Sequence, residues 1–90
     1  MSIEIELSSI FAPYTGNQRV IQAQGSTVGE GVNDLIKQFP KLKRILLDNK
    51  GQLHRSFDVY VNGESAYPQR QDKPIKDGDK INIVYLIQGG

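Results

Sequence analysis

The chain opens on alternation. Ile3, Ile5 and Leu7 are interleaved with Glu4, Glu6 and Ser8, the period of two that gives a strand one buried and one solvated face. Ala12-Pro13-Tyr14-Thr15-Gly16-Asn17 interrupts it with a φ-restricting proline and a permissive glycine, which predicts a turn region, and Arg19 to Ala23 reads as the second arm of a hairpin. The period then changes. Val28, Val32, Leu35, Ile36 and Phe39 stand at offsets 0, 4, 7, 8 and 11 from Val28 and so share one helical face. Thr27 is placed to cap that helix, Glu30 to close a capping box, and Pro40 to stop it. Leu42, Ile45, Leu46 and Leu47 predict a further apolar turn or short helix before the Asn49-Lys50-Gly51 turn.

Alternation returns in the second half. Phe57, Val59 and Val61 alternate with Asp58, Tyr60 and Asn62 as a third strand, and Asn62-Gly63 is a tight-turn signal after it. Ser65 to Tyr67 reads as a brief edge strand, Gln69 to Lys76 as a polar loop, and Asp77-Gly78-Asp79 as the turn into a last strand, Lys80 to Leu86. The pattern by itself supports an α+β fold with one helix-covered sheet face. Its order of strand, strand, helix, strand, short strand, strand is that of a β-grasp, a mixed four- to five-stranded sheet with one main helix packed on one face. In that fold the first and last strands run parallel through the centre. We therefore expect one β-grasp domain over residues 1–86 and a flexible C-terminal tail over 87–90.

Composition narrows the function classes. Ninety residues suffice for one modest core, and 38% hydrophobic with 23% charged residues fits a soluble globular protein. A formal net charge of +1 provides no strong global field for nucleic acid or acidic lipid. The longest apolar run, Val84 to Ile87, falls far short of the roughly 20 residues that cross a bilayer. The alternating start lacks the basic and then apolar blocks of a secretory signal, so a cytoplasmic location is expected. With no cysteine, the chain has no disulfide framework, thiolate metal site or cysteine nucleophile of its own.

The chemistry points to the end of the chain. Ile87-Gln88-Gly89-Gly90 follows the last strand directly, and two glycines contribute nothing to packing while raising the entropic cost of order. Their use lies in access. Without a β-carbon, the backbone at Gly89 can thread a narrow channel and carry the Gly90 carboxylate to a buried reaction centre, with Gln88 and Ile87 following. From Leu86 to Gly90 an extended tail reaches on the order of 13–17 Å. A free carboxylate is a poor electrophile because resonance stabilises it and oxide is its leaving group. Attack of that carboxylate on the α-phosphate of ATP, in a partner enzyme, gives an acyl-adenylate, and a sulfide or persulfide donor displaces AMP to leave a terminal thiocarboxylate. The chain itself is expected to be the substrate, with no catalytic residues, no bound cofactor and no metal; the activating partner uses the ATP.

Other candidates are weaker. Alternation points Tyr60, Val84 and Leu86 away from the helix-covered core, and two readings are open: a docking surface close to the tail, or scattered apolar residues. His54, the only histidine, has no second histidine to form a metal pair, and with Ser56 it lacks the third member of a triad. Lys37, Lys41, Lys43 and Arg44 offset the negative end of the helix dipole, and without interleaved aromatics they predict no direct nucleic-acid binding. Gly25, Gly29 and Gly31 lack the lysine–hydroxyl pair of a phosphate loop.

The opening Ile3-Glu4-Ile5 with Ala12-Pro13-Tyr14-Thr15-Gly16, the segments Leu53-His54-Arg55 and Val59-Tyr60-Val61-Asn62, and Asp77-Gly78-Asp79 through Gly89-Gly90 resemble the ubiquitin-like sulfur carriers. The group includes the small subunit of molybdopterin synthase (MoaD) and the thiamine-pathway carrier (ThiS). Within it the resemblance is nearest to the cysteine-biosynthesis carrier and spans essentially the whole chain. Tyr85-Leu86-Ile87-Gln88 departs from the family's small-residue approach to the diglycine. The resemblance implies an E1-like adenylyltransferase, a sulfur donor and a downstream sulfur-accepting enzyme in cofactor, cysteine or tRNA-thiolation biosynthesis. Two other classes stay open: a ubiquitin-like modifier joined through Gly90 to lysines, and a non-catalytic β-grasp binding module.

Overall fold

Ile3, Ile5 and Leu7 lie in strand β1 (Ser2–Leu7), and all three are buried. The computed structural model describes residues 2–86. β1 pairs antiparallel with β2 (Val20–Gln24), with Ile5 opposite Ile21, and parallel with β5 (Lys80–Tyr85), with Leu7 opposite Ile83. On the other side of β5, β3 (Phe57–Val61) pairs antiparallel and carries the two-residue edge strand β4 (Glu64–Ser65). The five strands form one sheet in the order β2-β1-β5-β3-β4, the β-grasp arrangement with the first and last strands adjacent at its centre.

Helix α1 (Val28–Gln38) covers one face. Val28, Val32 and Leu35 on its apolar side are buried with Ile3, Ile5, Ile81 and Ile83, and Ile36 and Phe39 pack at the margin of that core. Burying each such side chain contributes about 1.5–3 kcal/mol. The helix sits close to the sheet at Gly31, where an added β-carbon would lie 2.7 Å from the Ile3 Cδ1 atom. Thr27 caps the helix by accepting the Glu30 N–H at 3.1 Å. The expected capping box is displaced by one residue: the Glu30 carboxylate reaches back to the Ser26 N–H and hydroxyl, both at 2.8 Å, rather than to Thr27.

The irregular segments differ from expectation. The turn region after β1 is a 3₁₀ helix, Ser9–Tyr14, containing Pro13, and β2 begins one residue later than predicted. The Ser8 hydroxyl accepts its Ile10 N–H, and Phe11 drops into the core. After Pro40 the chain makes a 3₁₀ turn, Pro40–Leu42, and a one-turn helix α2 (Lys43–Leu46), which bury Leu42 and Leu46. The edge strand is Glu64–Ser65 rather than Ser65 to Tyr67, because Ser65 opposite Tyr60 is the last pair before the chain turns away. The polar loop contains a 3₁₀ turn, Arg70–Asp72, and β5 ends at Tyr85, one residue early.

Two sets of hydrogen bonds hold β5 at its ends. Where it begins, Asp79 accepts the Asn62 side-chain amide at 3.0 Å and the Lys76 N–H at 2.7 Å. Asn62 and Gly63 take φ values of 52° and 87°, the left-handed conformations of a tight hairpin turn. Where β5 ends, the Leu86 N–H donates to the Ser56 carbonyl at 2.7 Å. Arg70 pins the segment around that carbonyl, its guanidinium donating to His54 O at 2.9 Å and Phe57 O at 3.0 Å.

Arg70→Ala is expected to cost about 1–2 kcal/mol, since charge-assisted hydrogen bonds to two carbonyls are lost, and to speed exchange of the Leu86 amide. Denaturant unfolding and hydrogen exchange read the two effects. Carboxylates give a second expectation. The Asn62 amide and Lys76 N–H hold Asp79 below its ordinary pKa, the Ser26 N–H and hydroxyl do so for Glu30, and the Gln52 and Lys50 N–H groups for Asp48. Because these folded-state pKa values lie below the unfolded ones, the stabilisation is full above the ordinary carboxylate pKa of about 4 and is lost as pH falls through the lowered values. Thermal midpoints should therefore decline on acidification below that range. In Asn62→Gly, which keeps the turn but removes the main cause of the Asp79 shift, the decline should be shallower; an identical acid limb would contradict this assignment.

Candidate functional site

The site begins where β5 runs out. Because β5 lies between β1 and β3, the chain leaves the middle of the sheet, not its edge. Tyr85 continues the side of the strand that buries Ile81 and Ile83, yet it is 51% exposed because the core stops beneath it. Its ring packs on Phe57 with centroids 5.6 Å apart, and Phe57 packs on Phe11 at 5.5 Å. This aromatic row ties the segment after β1 to the root of the tail. Leu86 turns to the opposite side and is 39% exposed. A cleft of about 590 Å³ opens beside it, lined by Arg55, Phe57, Asp58, Tyr67, Arg70 and Leu86. Ile87, Gln88, Gly89 and Gly90, the residues singled out for tail chemistry, lie outside the described residues.

The sheet face away from α1 carries the other sequence-derived candidates. Tyr60 stands opposite Asn82, and Val84 opposite Asp58, so Tyr60 and Val84 are diagonal neighbours on adjacent strands. Both are half-buried, and Leu86 follows Val84 on the same side. Tyr60 and Val84 thus lie on one sheet face, with Leu86 just beyond the end of β5. Polar residues surround them: Glu6 lies opposite Asn82 and Glu4 opposite Lys80. Asp58 is tied down, its carboxylate accepting the Ser65 hydroxyl and the Val59 N–H at 2.8 Å each.

His54 and Ser56 contribute backbone hydrogen bonds to the fold. The His54 backbone N–H donates to Leu46 O at 2.7 Å, its carbonyl accepts from Phe57 and Arg70, and the residue is exposed. Ser56 contributes its carbonyl to Leu86. Lys37, Lys41, Lys43 and Arg44 are exposed around the ends of α1 and α2. Gly25 precedes the helix cap, while Gly29 and Gly31 lie within the first turn of α1. Among the described residues, no group of three or more His, Cys, Asp or Glu side chains is arranged to hold a metal ion. No helix among them is long and apolar enough to cross a membrane.

Sequence reasoning did not single out Arg70 or Tyr67. Arg70 acts on carbonyls 13 and 16 residues away, which no local pattern encodes. Tyr67 stands in a loop, where no periodicity reports exposure, and it is 75% exposed.

The model of the ThiS family matches residues 6–90. The sulfur carrier protein CysO of Mycobacterium tuberculosis (strain ATCC 25618 / H37Rv) is 31% identical over 93 residues, covering 100% of both chains. Among solved structures, a chain of the Amycolatopsis orientalis BexX/CysO complex superposes with a TM-score of 0.87 at 29% identity, covering 98% of this chain and 99% of that one. SAMP1 from Haloferax volcanii gives a TM-score of 0.86 at 25% identity, with both chains covered in full. Likeness along the whole length, in sequence as well as in fold, decides the classification: this chain belongs to the ThiS family and is a member of the sulfur carrier group.

Proposed function

We propose that the chain is a cytoplasmic sulfur carrier, a domain over residues 1–86 presenting a tail over 87–90 whose Gly90 carboxylate is the reacting group. The observation that carries this reading is the 31% identity to a sulfur carrier along the entire chain, the diglycine included in the matched region. In the first step a Gly90 carboxylate oxygen attacks the α-phosphorus of ATP on an E1-like adenylyltransferase, and pyrophosphate leaves. In the second, sulfide attacks the acyl carbon, AMP leaves with the oxygen, and a thiocarboxylate remains. A persulfide donor gives an acyl disulfide first, and a thiol then cleaves its S–S bond. The chain supplies the acyl group and performs none of the catalysis.

Ile87, Gln88 and Gly89 thread the partner's active site in this reading, and Tyr60, Val84 and Leu86 belong to the docking surface. That CysO of Amycolatopsis orientalis stands in a complex with BexX supports action through a partner. A downstream enzyme consumes the sulfur. The same activated end admits a second acceptor, a lysine amine that displaces AMP to form an isopeptide bond. Both outcomes share the adenylation step.

Deleting Gly90 is expected to abolish ATP–pyrophosphate exchange catalysed by the activating enzyme while leaving the thermal midpoint unchanged, since the described core lies entirely upstream. Undiminished exchange with the truncated chain would contradict the proposal.

A further inference from the structure

An uncovered edge strand offers its unpaired N–H and C=O groups to any other strand that meets it. One edge of this sheet is β4, which is only two residues long and has its Ser65 hydroxyl bound to Asp58. The other is β2, five residues from Val20 to Gln24, long enough to template a further strand. The Leu7 N–H donates to Arg19 O, and from that pair the register alternates. It turns the backbone groups of Ile21 and Ala23 towards β1 and those of Val20, Gln22 and Gln24 outward.

Helix α1 supplies partners for two of the outward groups. The Asp34 carboxylate accepts the Gln24 N–H at 3.0 Å, and the Gln38 side-chain amide donates to the Gln22 carbonyl at 2.8 Å. The same amide donates its second hydrogen to Asp34 at 3.3 Å, so two residues one helical turn apart hold each other over the strand. An acceptor therefore stands beside the strand's donor and a donor beside its acceptor, as a neighbouring strand would place them. A strand added to β2 needs both of these groups. The helix does not need the two side chains for its own seat, because Val28, Val32 and Leu35 anchor it in the core while Gln38 is exposed and Asp34 half-buried.

We infer that Asp34 and Gln38 form a latch over the β2 edge, and that the surface beneath it fits a second copy of this chain. Self-pairing is what the register favours. When two β2 strands meet antiparallel about a two-fold axis, Gln22 lies opposite Gln22 of the second copy and Val20 opposite its Gln24, so every residue with outward groups faces another such residue. A shift by one residue sets outward groups against inward ones. The inference does not involve Gly90 and stands or falls apart from the carrier reading.

Sedimentation velocity on full-length chains tests it. The unaltered chain should run as a monomer. Asp34→Ala/Gln38→Ala should self-associate at least about tenfold more tightly. Adding Gln22→Pro, which removes an outward N–H at the centre of the pair, should return that variant to monomer. Asp34→Asn should stay monomeric, because its amide oxygen still accepts the Gln24 N–H, and so should Asn33→Ala, exposed on the same helix. Hydrogen exchange reports on the latch itself: the Gln24 amide should exchange faster in Asp34→Ala than in Asp34→Asn. Thermal midpoints identify folded variants, and if the double variant does not fold, Gln38→Ala alone carries the test, since it frees the Gln22 carbonyl. A folded variant without the latch that sediments like the unaltered chain overturns the inference. So does a dimer that survives Gln22→Pro, a dimer of either control, or an unaltered chain that already pairs through β2.

Discussion

Parallel pairing between the first and last strands, β1 and β5, is the contact on which the remaining structure depends. Parallel neighbours cannot be joined by a tight turn, so the chain between them must cross over, and here it uses that length to lay α1 across one face and β3 and β4 along the far side of β5. Ile5 beside Ile81 and Leu7 beside Ile83 form the floor on which Val28, Val32 and Leu35 pack. The same pairing fixes where β5 ends. A strand at the sheet's centre, hydrogen-bonded on both sides, ends at a defined place and gives Leu86 a firm support.

That support is built on both sides of the exit. Phe11, Phe57 and Tyr85 stack in a row from the segment after β1 to the end of β5, and the Ser56 carbonyl with the Arg70 guanidinium fixes the backbone alongside. The far end is made of polar turns closed by side-chain hydrogen bonds, which seal the sheet against solvent without exposing large apolar groups. Exposed apolar side chains such as Tyr85 and Leu86 stand where β5 stops, and polar turns close the other end.

Much of this was legible in the sequence because it is periodic. Alternation at Ile3, Ile5 and Leu7 and at Phe57, Val59 and Val61, and the helical spacing from Val28 to Phe39, each reflect one face against a common core. Outside the periodic segments the sequence was less informative. The 3₁₀ helix Ser9–Tyr14 is too short for a period to show, and its Pro13 reads equally well as a turn residue. Glu30 was correctly assigned to the helix start, but its carboxylate accepts from Ser26 rather than from Thr27, since the cap's geometry depends on where the preceding loop lies. Tyr60, Val84 and Leu86 were placed on the outer face by alternation alone. The exposure of Ile10, Tyr14 and Tyr67 is a property of the tertiary arrangement and has no local signal.

On the proposed function, the chain is a substrate whose reactive position is the Gly90 carboxyl carbon. Intact-mass spectrometry tests this most directly, with the full-length chain incubated with ATP, the E1-like partner and sulfide, then fragmented to locate any change. The account predicts a mass gain equal to exchange of one oxygen for one sulfur, carried by Gly90. An unchanged mass despite pyrophosphate release, or sulfur carried by any other residue, would contradict it.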